Sequence, residues 1–124
     1  MDIIPLETNS TVLLKNIYFA RAKPKILPPS FPSLQKLAKT LKRRTDVTIQ
    51  IEGHTDNVGN KEALEELSYR RAEAIADYLI TAGVDPKQIK TKGFGDSRPI
   101  TSNKTEEQKA KNRRVEIRVL NQGE

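Results

Sequence analysis

Between Val47 and Leu79 the spacing of apolar residues changes from two to between three and four, and that change fixes the local architecture. Val47, Ile49 and Ile51 alternate with Thr48, Gln50 and Glu52, the pattern of a strand with one buried face. Gly53-His54-Thr55-Asp56-Asn57-Val58-Gly59 then breaks any regular period. From Asn60, a residue suited to capping, to Ala82, the apolar stripe of Leu64, Leu67, Ile75, Tyr78 and Leu79 returns at helical spacing. Gly83 can end that helix in a left-handed conformation. A strand, a polar loop carrying a carboxylate, and a long helix follow one another here. Loops at strand ends are where α/β folds usually hold ligands.

The remaining segments are arranged around this unit. Residues 1–10 read as a leader with turn residues Pro5, Asn9 and Ser10, and 121–124 as a tail, which leaves 11–120 as one domain. Thr11 to Phe19 has the β-branched and aromatic content of a strand. The prolines of Ala20 to Pro29 forbid a regular helix or central strand, so this segment reads as an ordered surface loop. Ser30 can cap a helix over about 31–44 whose buried stripe is Leu34, Leu37, Ala38 and Leu41. Ile89 to Phe94 is a short strand, and Gly93 to Pro99 a turn-rich loop. Thr105-Glu106-Glu107-Gln108 has the spacing of a capping box and opens a short helix to about Lys111. Val115, Ile117 and Val119 alternate with Arg114, Glu116 and Arg118 in a final strand. The order β-α-β-α-β-(α)-β predicts an α/β (α+β) two-layer sandwich with helices packed on a mixed four-stranded sheet. The last connection is short, which favours an antiparallel final strand.

Composition narrows the chemistry. With 124 residues, 31% of them charged, the chain has room for one modest core without covalent staples. It has no cysteine, so no disulfide framework or thiolate metal site, and its single histidine rules out a multi-histidine cluster. No carboxylate spacing suggests a metal site, and no cofactor is expected. No targeting or membrane-spanning segment is visible in the 124 residues. The net charge of +6 favours an anionic partner, either nucleic acid or an acidic cell-envelope polymer. The basic residues are nevertheless scattered, and the Lys42-Arg43-Arg44 run falls at a helix end, where cations complement the dipole.

Three charged residues stand out. Arg71 lies four residues after Leu67 and four before Ile75, so it projects near the apolar stripe of its helix. A guanidinium there forms an internal salt bridge, snorkels to solvent, or grips a ligand carboxylate through two parallel hydrogen bonds. Asp56 either serves the turn after the strand or pairs with a ligand ammonium, and Thr55 beside it offers a hydroxyl and an amide. Arg113 shares the alternation parity of Val115, Ile117 and Val119 and is expected to point inward. His54 has no nominated nucleophile or second base, so it reads as structural, and no catalytic residue is assigned. Gly93-Phe94-Gly95 lacks the third glycine and long helix of a dinucleotide loop and reads as a tight turn.

Gly53-His54-Thr55-Asp56, Leu67-Ser68 with Arg71-Ala72, Gly93-Phe94-Gly95, Pro99 and Asn112-Arg113-Arg114-Val115-Glu116-Ile117 occur in that order. Together they resemble the OmpA-like C-terminal domain family, which includes peptidoglycan-associated lipoprotein and the periplasmic part of MotB. The resemblance covers about residues 11–120. It implies non-catalytic binding of peptidoglycan through the meso-diaminopimelate residue of the stem peptide, anchoring an outer-membrane or envelope protein to the cell wall. The binding residues it implies are Asp56, Arg71 and Arg113, with Thr55, Phe19 and Leu67 beside them. It implies a periplasmic location as a domain of an outer-membrane-associated protein, with no nucleic-acid partner and no membrane insertion by the domain itself, and it admits a dimer. The alternative within the same resemblance is a MotB-like stator module. The sequence departs from the family at Leu64, where asparagine is usual, and at Ala20-Arg21-Ala22-Lys23, where the first loop commonly carries Asp or Asn.

Overall fold

Strand β2 (Thr48–His54) is an inner strand of the sheet, with both its edges paired. On one side it runs parallel to β3 (Ile89–Gly93), and on the other antiparallel to β4 (Arg114–Asn121). The short β1 (Thr11–Leu14) pairs antiparallel with the far edge of β4, giving the order β1-β4-β2-β3. The sheet is therefore mixed, with the final strand antiparallel to its neighbours as the short connection suggested. This computed structural model describes residues 11–14, 17–20 and 22–121; the expected leader 1–10 and residues 122–124 of the expected tail lie outside them.

Helices α1 (Phe31–Arg43) and α2 (Lys61–Thr81) carry the apolar stripes read from the sequence, and α3 (Glu106–Asn112) is the short third helix. Leu34, Leu37 and Leu41 of α1, and Ile75 and Leu79 of α2, are fully buried against Ile49 and Ile51 of β2 and Ile117 and Val119 of β4. Asn60 caps α2 by accepting from the Ala63 amide, and Thr105 with Gln108 forms the expected capping box at α3. Lys42 donates to the carbonyl of Ala82 at the C-terminus of α2, while Arg44 of the same basic run pairs with Asp46.

Two expectations are corrected. The first strand is shorter than Thr11 to Phe19: Phe19 makes only an isolated bridge to Ile26, where the chain folds back on itself through a bond from the Ala20 amide to the Lys25 carbonyl. Ser30 precedes α1 but gives no side-chain cap. Its hydroxyl instead accepts from the Tyr18 amide at 2.7 Å and donates to the Tyr18 carbonyl at 3.0 Å, pinning this loop.

The decisive packing contact is backbone to backbone. A Cβ placed on Gly53 would collide with the Ser68 carbonyl of α2, and one on Gly93 with the Tyr69 amide nitrogen. The Ser68 hydroxyl donates to the Glu65 carbonyl and accepts from the Gly95 amide, both at 2.9 Å. The helix thus rests directly on the two strands at the ends of which the loops begin.

The other face of β2 and β4 is polar. Glu52 and His54 are buried there, and in register with them β4 presents Glu116 and Arg114. Arg118 donates to Glu52 Oε2 at 2.8 Å and Arg114 to Glu116 Oε2 at 2.6 Å. The His54 ring stacks on Phe94 at 5.3 Å, and the Arg98 guanidinium lies 3.9 Å from the centroid of the Phe94 ring.

Gly53→Ala is expected to cost about 2 kcal/mol or more, because a backbone carbonyl is the obstacle; urea unfolding of the variant measures it. A second expectation concerns pH. Burial and then Arg114, with Arg98 in the same direction, push His54 down from 6.5 to about 4, although Glu116 and Glu52 pull it up. The unfolded chain therefore holds more protons between about pH 4 and 6.5, so this contribution is complete above 6.5 and lost as pH falls toward 4. Wild type should lose up to about 3 kcal/mol more than His54→Gln across that window in pH-dependent unfolding.

Candidate functional site

At the C-terminal end of β2 a cleft of about 950 Å³ opens between the 17–27 loop, α2 and α3. All six expected site residues line it: Phe19, Thr55, Asp56, Leu67, Arg71 and Arg113. They come from four separate parts of the chain, brought together by the contact of α2 with the sheet.

Asp56 is buried and divides its two oxygens. Oδ1 accepts the Val58 amide at 2.9 Å, closing the turn, and Oδ2 accepts Arg113 Nη1 at 2.6 Å. Thr55 fixes the base of this loop, its amide donating to the Gly95 carbonyl and its hydroxyl to the Asp56 carbonyl, both at 2.8 Å. A carboxylate offers about four lone-pair positions, so about two acceptor positions are left unused by these bonds.

Arg113 sits where α3 gives way to β4, and its second amino group donates to Glu106 Oε2 at 2.8 Å. Glu106 first, then Asp56, hold its proton more tightly than in water. Rather than burying itself in the core, its guanidinium bridges two carboxylates at the cleft rim, with 38% of the side chain exposed.

Arg71 is half-buried and has no ion-pair partner among the described residues. Its Nε donates to the Lys23 carbonyl at 3.1 Å and one amino group to the Ala20 carbonyl at 3.3 Å. The Phe19 ring centroid is 4.9 Å from the guanidinium carbon. Burial lowers its pKa, the nearby positive charge of Arg113 adds to that, and Asp56 opposes it. An arginine stays charged at neutral pH regardless. Of the arrangements open to Arg71 in the sequence, the internal salt bridge is absent among the described residues. Two loop carbonyls orient the fork instead, leaving further N–H groups for an anion.

Leu64, the departure from the family pattern, is a buried part of the cleft wall packed beneath Gly59, where it offers no amide. Glu106 and Lys109 of α3 also line the cleft and were not expected there. Glu106 had a legible signal, since it precedes Arg113 by seven residues, two helical turns. Asn112 of the Asn-Arg-Arg run is structural: it is buried, accepts the Ile100 amide at 2.8 Å and donates to the Thr101 carbonyl at 3.0 Å. Arg114 turns away from Asp56 to Glu116 and the Arg98 carbonyl. No carboxylate spacing in the sequence points to a metal site, yet strand register brings Glu116 of β4 beside Glu52 and His54, which lie two residues apart on β2.

Comparison with known proteins adds to this geometry. The model of the OmpA family matches residues 18–113. The peptidoglycan-binding protein ArfA of Mycobacterium tuberculosis is 42% identical over 103 residues, which span 83% of this chain and 32% of ArfA. The match therefore spans about a third of the length of that relative. The crystal structure of the peptidoglycan-associated lipoprotein from Burkholderia pseudomallei is similar with a TM-score of 0.79 and 29% identity, over 83% of this chain and 87% of that one. The periplasmic domain of Helicobacter pylori MotB is similar in fold, with a TM-score of 0.77 at 24% identity over 91% of this chain and 75% of that one.

The two carboxylates that hold Arg113 should differ in worth. Asp56→Ala removes a partly exposed ion pair and a turn bond together and is expected to cost about 1–3 kcal/mol. Glu106→Ala removes an exposed pair and should cost about 0.5 kcal/mol or less. Denaturant midpoints of the two variants at constant m-value make the comparison.

Proposed function

The chain belongs to the OmpA family, and we propose that it is a non-catalytic peptidoglycan-binding domain gripping the meso-diaminopimelate residue of the stem peptide. The observation that carries the proposal is the pairing, in one cleft, of a carboxylate with spare acceptor positions and an arginine fork lacking an acidic partner among the described residues. The free end of diaminopimelate presents an ammonium and a carboxylate on one carbon. Asp56 takes the ammonium and the Arg71 fork takes the carboxylate, each through charge-assisted bonds. Arg113 holds Asp56 in place through the bond to Oδ2, and Phe19, Thr55 and Leu67 border the ligand. Lysine in the same position of the stem peptide has the ammonium and lacks the carboxylate, so Arg71 is the discriminating residue.

Similarity to ArfA and to peptidoglycan-associated lipoprotein supports the cell-wall reading, with the domain in the periplasm tethering a larger envelope protein. The likeness to MotB supports the fold alone, so a stator role has no separate observation behind it. Holding the ligand, rather than cleaving it, is the role we assign to these groups.

Calorimetric titration with a diaminopimelate-containing stem peptide should give saturable binding, with the lysine counterpart at least tenfold weaker. Arg71→Ala should abolish that preference, and Asp56→Asn, which can keep the turn bond to Val58, should reduce affinity for both peptides by tenfold or more. Equal binding of the two peptides by the wild type would overturn the assignment of Arg71.

A further inference from the structure

Behind the cleft, on the polar face of the sheet, the proposed ligand chemistry leaves a cluster unused. Glu52 and His54 of β2 are 1% and 3% exposed, and Glu116 of β4 is the direct neighbour of Glu52 in register. Each carboxylate accepts an arginine at Oε2, Glu52 from Arg118 and Glu116 from Arg114, and Glu52 Oε2 also accepts Gln50 Nε2 at 2.7 Å. Glu52 Oε1 and both ring nitrogens of His54 are buried with no hydrogen-bond partner. Buried polar atoms in that state are costly, by about 1–3 kcal/mol each, and call for an explanation. The second oxygen of Glu116 lies 3.8 Å from His54 Nε2, and one donor atom from each of the three residues falls within 4.8 Å of the others.

We propose that Glu52, His54 and Glu116 form a binding site for a divalent transition-metal ion of the zinc class, distinct in ligand and location from the stem-peptide cleft. One imidazole and two carboxylate oxygens are a suitable first set for such an ion, with a fourth position left to solvent. The arginines do the work of outer partners: by holding Oε2 of each carboxylate they leave Oε1 uncommitted, and Glu116 Oε1 faces the histidine. They also cancel the carboxylate charge, which disfavours a hard cation such as magnesium bound by electrostatics alone. The imidazole–metal bond then becomes the selecting interaction. Donor atoms around zinc stand about 3.3 Å apart in tetrahedral geometry, so the triad must contract. Glu116, whose side chain is 19% exposed, is the arm with room to move. Only His54 also contributes to the cleft wall, so metal and peptide do not compete for Asp56 or Arg71.

The test is simplified by composition, because His54 is the single histidine and cysteine is absent. Zinc chloride titrated into the full chain should bind at one ion per chain in calorimetry, shift the lone imidazole resonances in NMR, and raise Tm, whereas magnesium chloride does none of these. Glu116→Gln, at a partly exposed position, should fold normally and lose zinc affinity by at least tenfold, and His54→Gln should abolish the imidazole signal and the tight binding together. Stem-peptide affinity should stay within twofold in Glu116→Gln, so a failure of the metal site is distinguishable from a failure of the peptide site. Absence of saturable zinc binding to the wild type, or unchanged zinc affinity in folded Glu116→Gln, would overturn the proposal.

Discussion

The backbone of α2 lies against the backbone of β2 and β3 at Ser68, and the geometry of the whole cleft depends on that contact. It exists because Gly53 and Gly93 have no Cβ to hold the helix off and because the Ser68 hydroxyl satisfies the Gly95 amide that the close approach encloses. One helical turn beyond Ser68, Arg71 emerges at the level of the β2 loop. A helix pushed outward by even one methyl group would carry Arg71 away from the loop carbonyls of Ala20 and Lys23. Scattered motif residues, Gly53, Ser68, Gly93 and Gly95, are therefore parts of one joint.

Charge is organised in two layers around the end of β2. On the cleft side Arg113 joins Asp56 and Glu106, which fixes the orientation of the Asp56 carboxylate. On the opposite side Arg114, its neighbour in sequence, joins Glu116 and the Arg98 carbonyl. Arg113 is extended, just before β4, and Arg114 begins the strand, so the two neighbouring side chains serve polar clusters on opposite sides. Arg71 differs from both, because its partners are backbone carbonyls and a ring. Such neutral partners hold the fork in place without neutralising its charge, a preorganised arrangement for an incoming carboxylate.

Much of the fold was legible because its signals are local. The period-two run Val47 to Ile51, the helical stripe ending at Leu79, the Asn60 cap and the Thr105–Gln108 capping box depend on neighbours within a few residues. Ser30 misled for a physical reason: its hydroxyl found a better partner in the distant Tyr18 backbone than in its own helix. The first strand ended early because the chain turns back at Ala20 to Lys25, a fold set by loop hydrogen bonds that leave no periodic trace.

By itself the sequence determined the elements, their order, the buried stripes, and which charged residues were too conspicuous to be ordinary surface: Asp56, Arg71 and Arg113. These follow from periodicity, capping chemistry and strand parity, all short-range properties of the chain. Only the tertiary structure decided which acid met which base. Asp56 could have paired with Arg71, yet the start of β4 delivers Arg113 to it and leaves Arg71 to the loop carbonyls. Glu52, His54 and Glu116 likewise became neighbours only through the register of β2 with β4. Pairing across strands and between helix and loop depends on how the backbone closes in three dimensions, and no spacing along the chain encodes it.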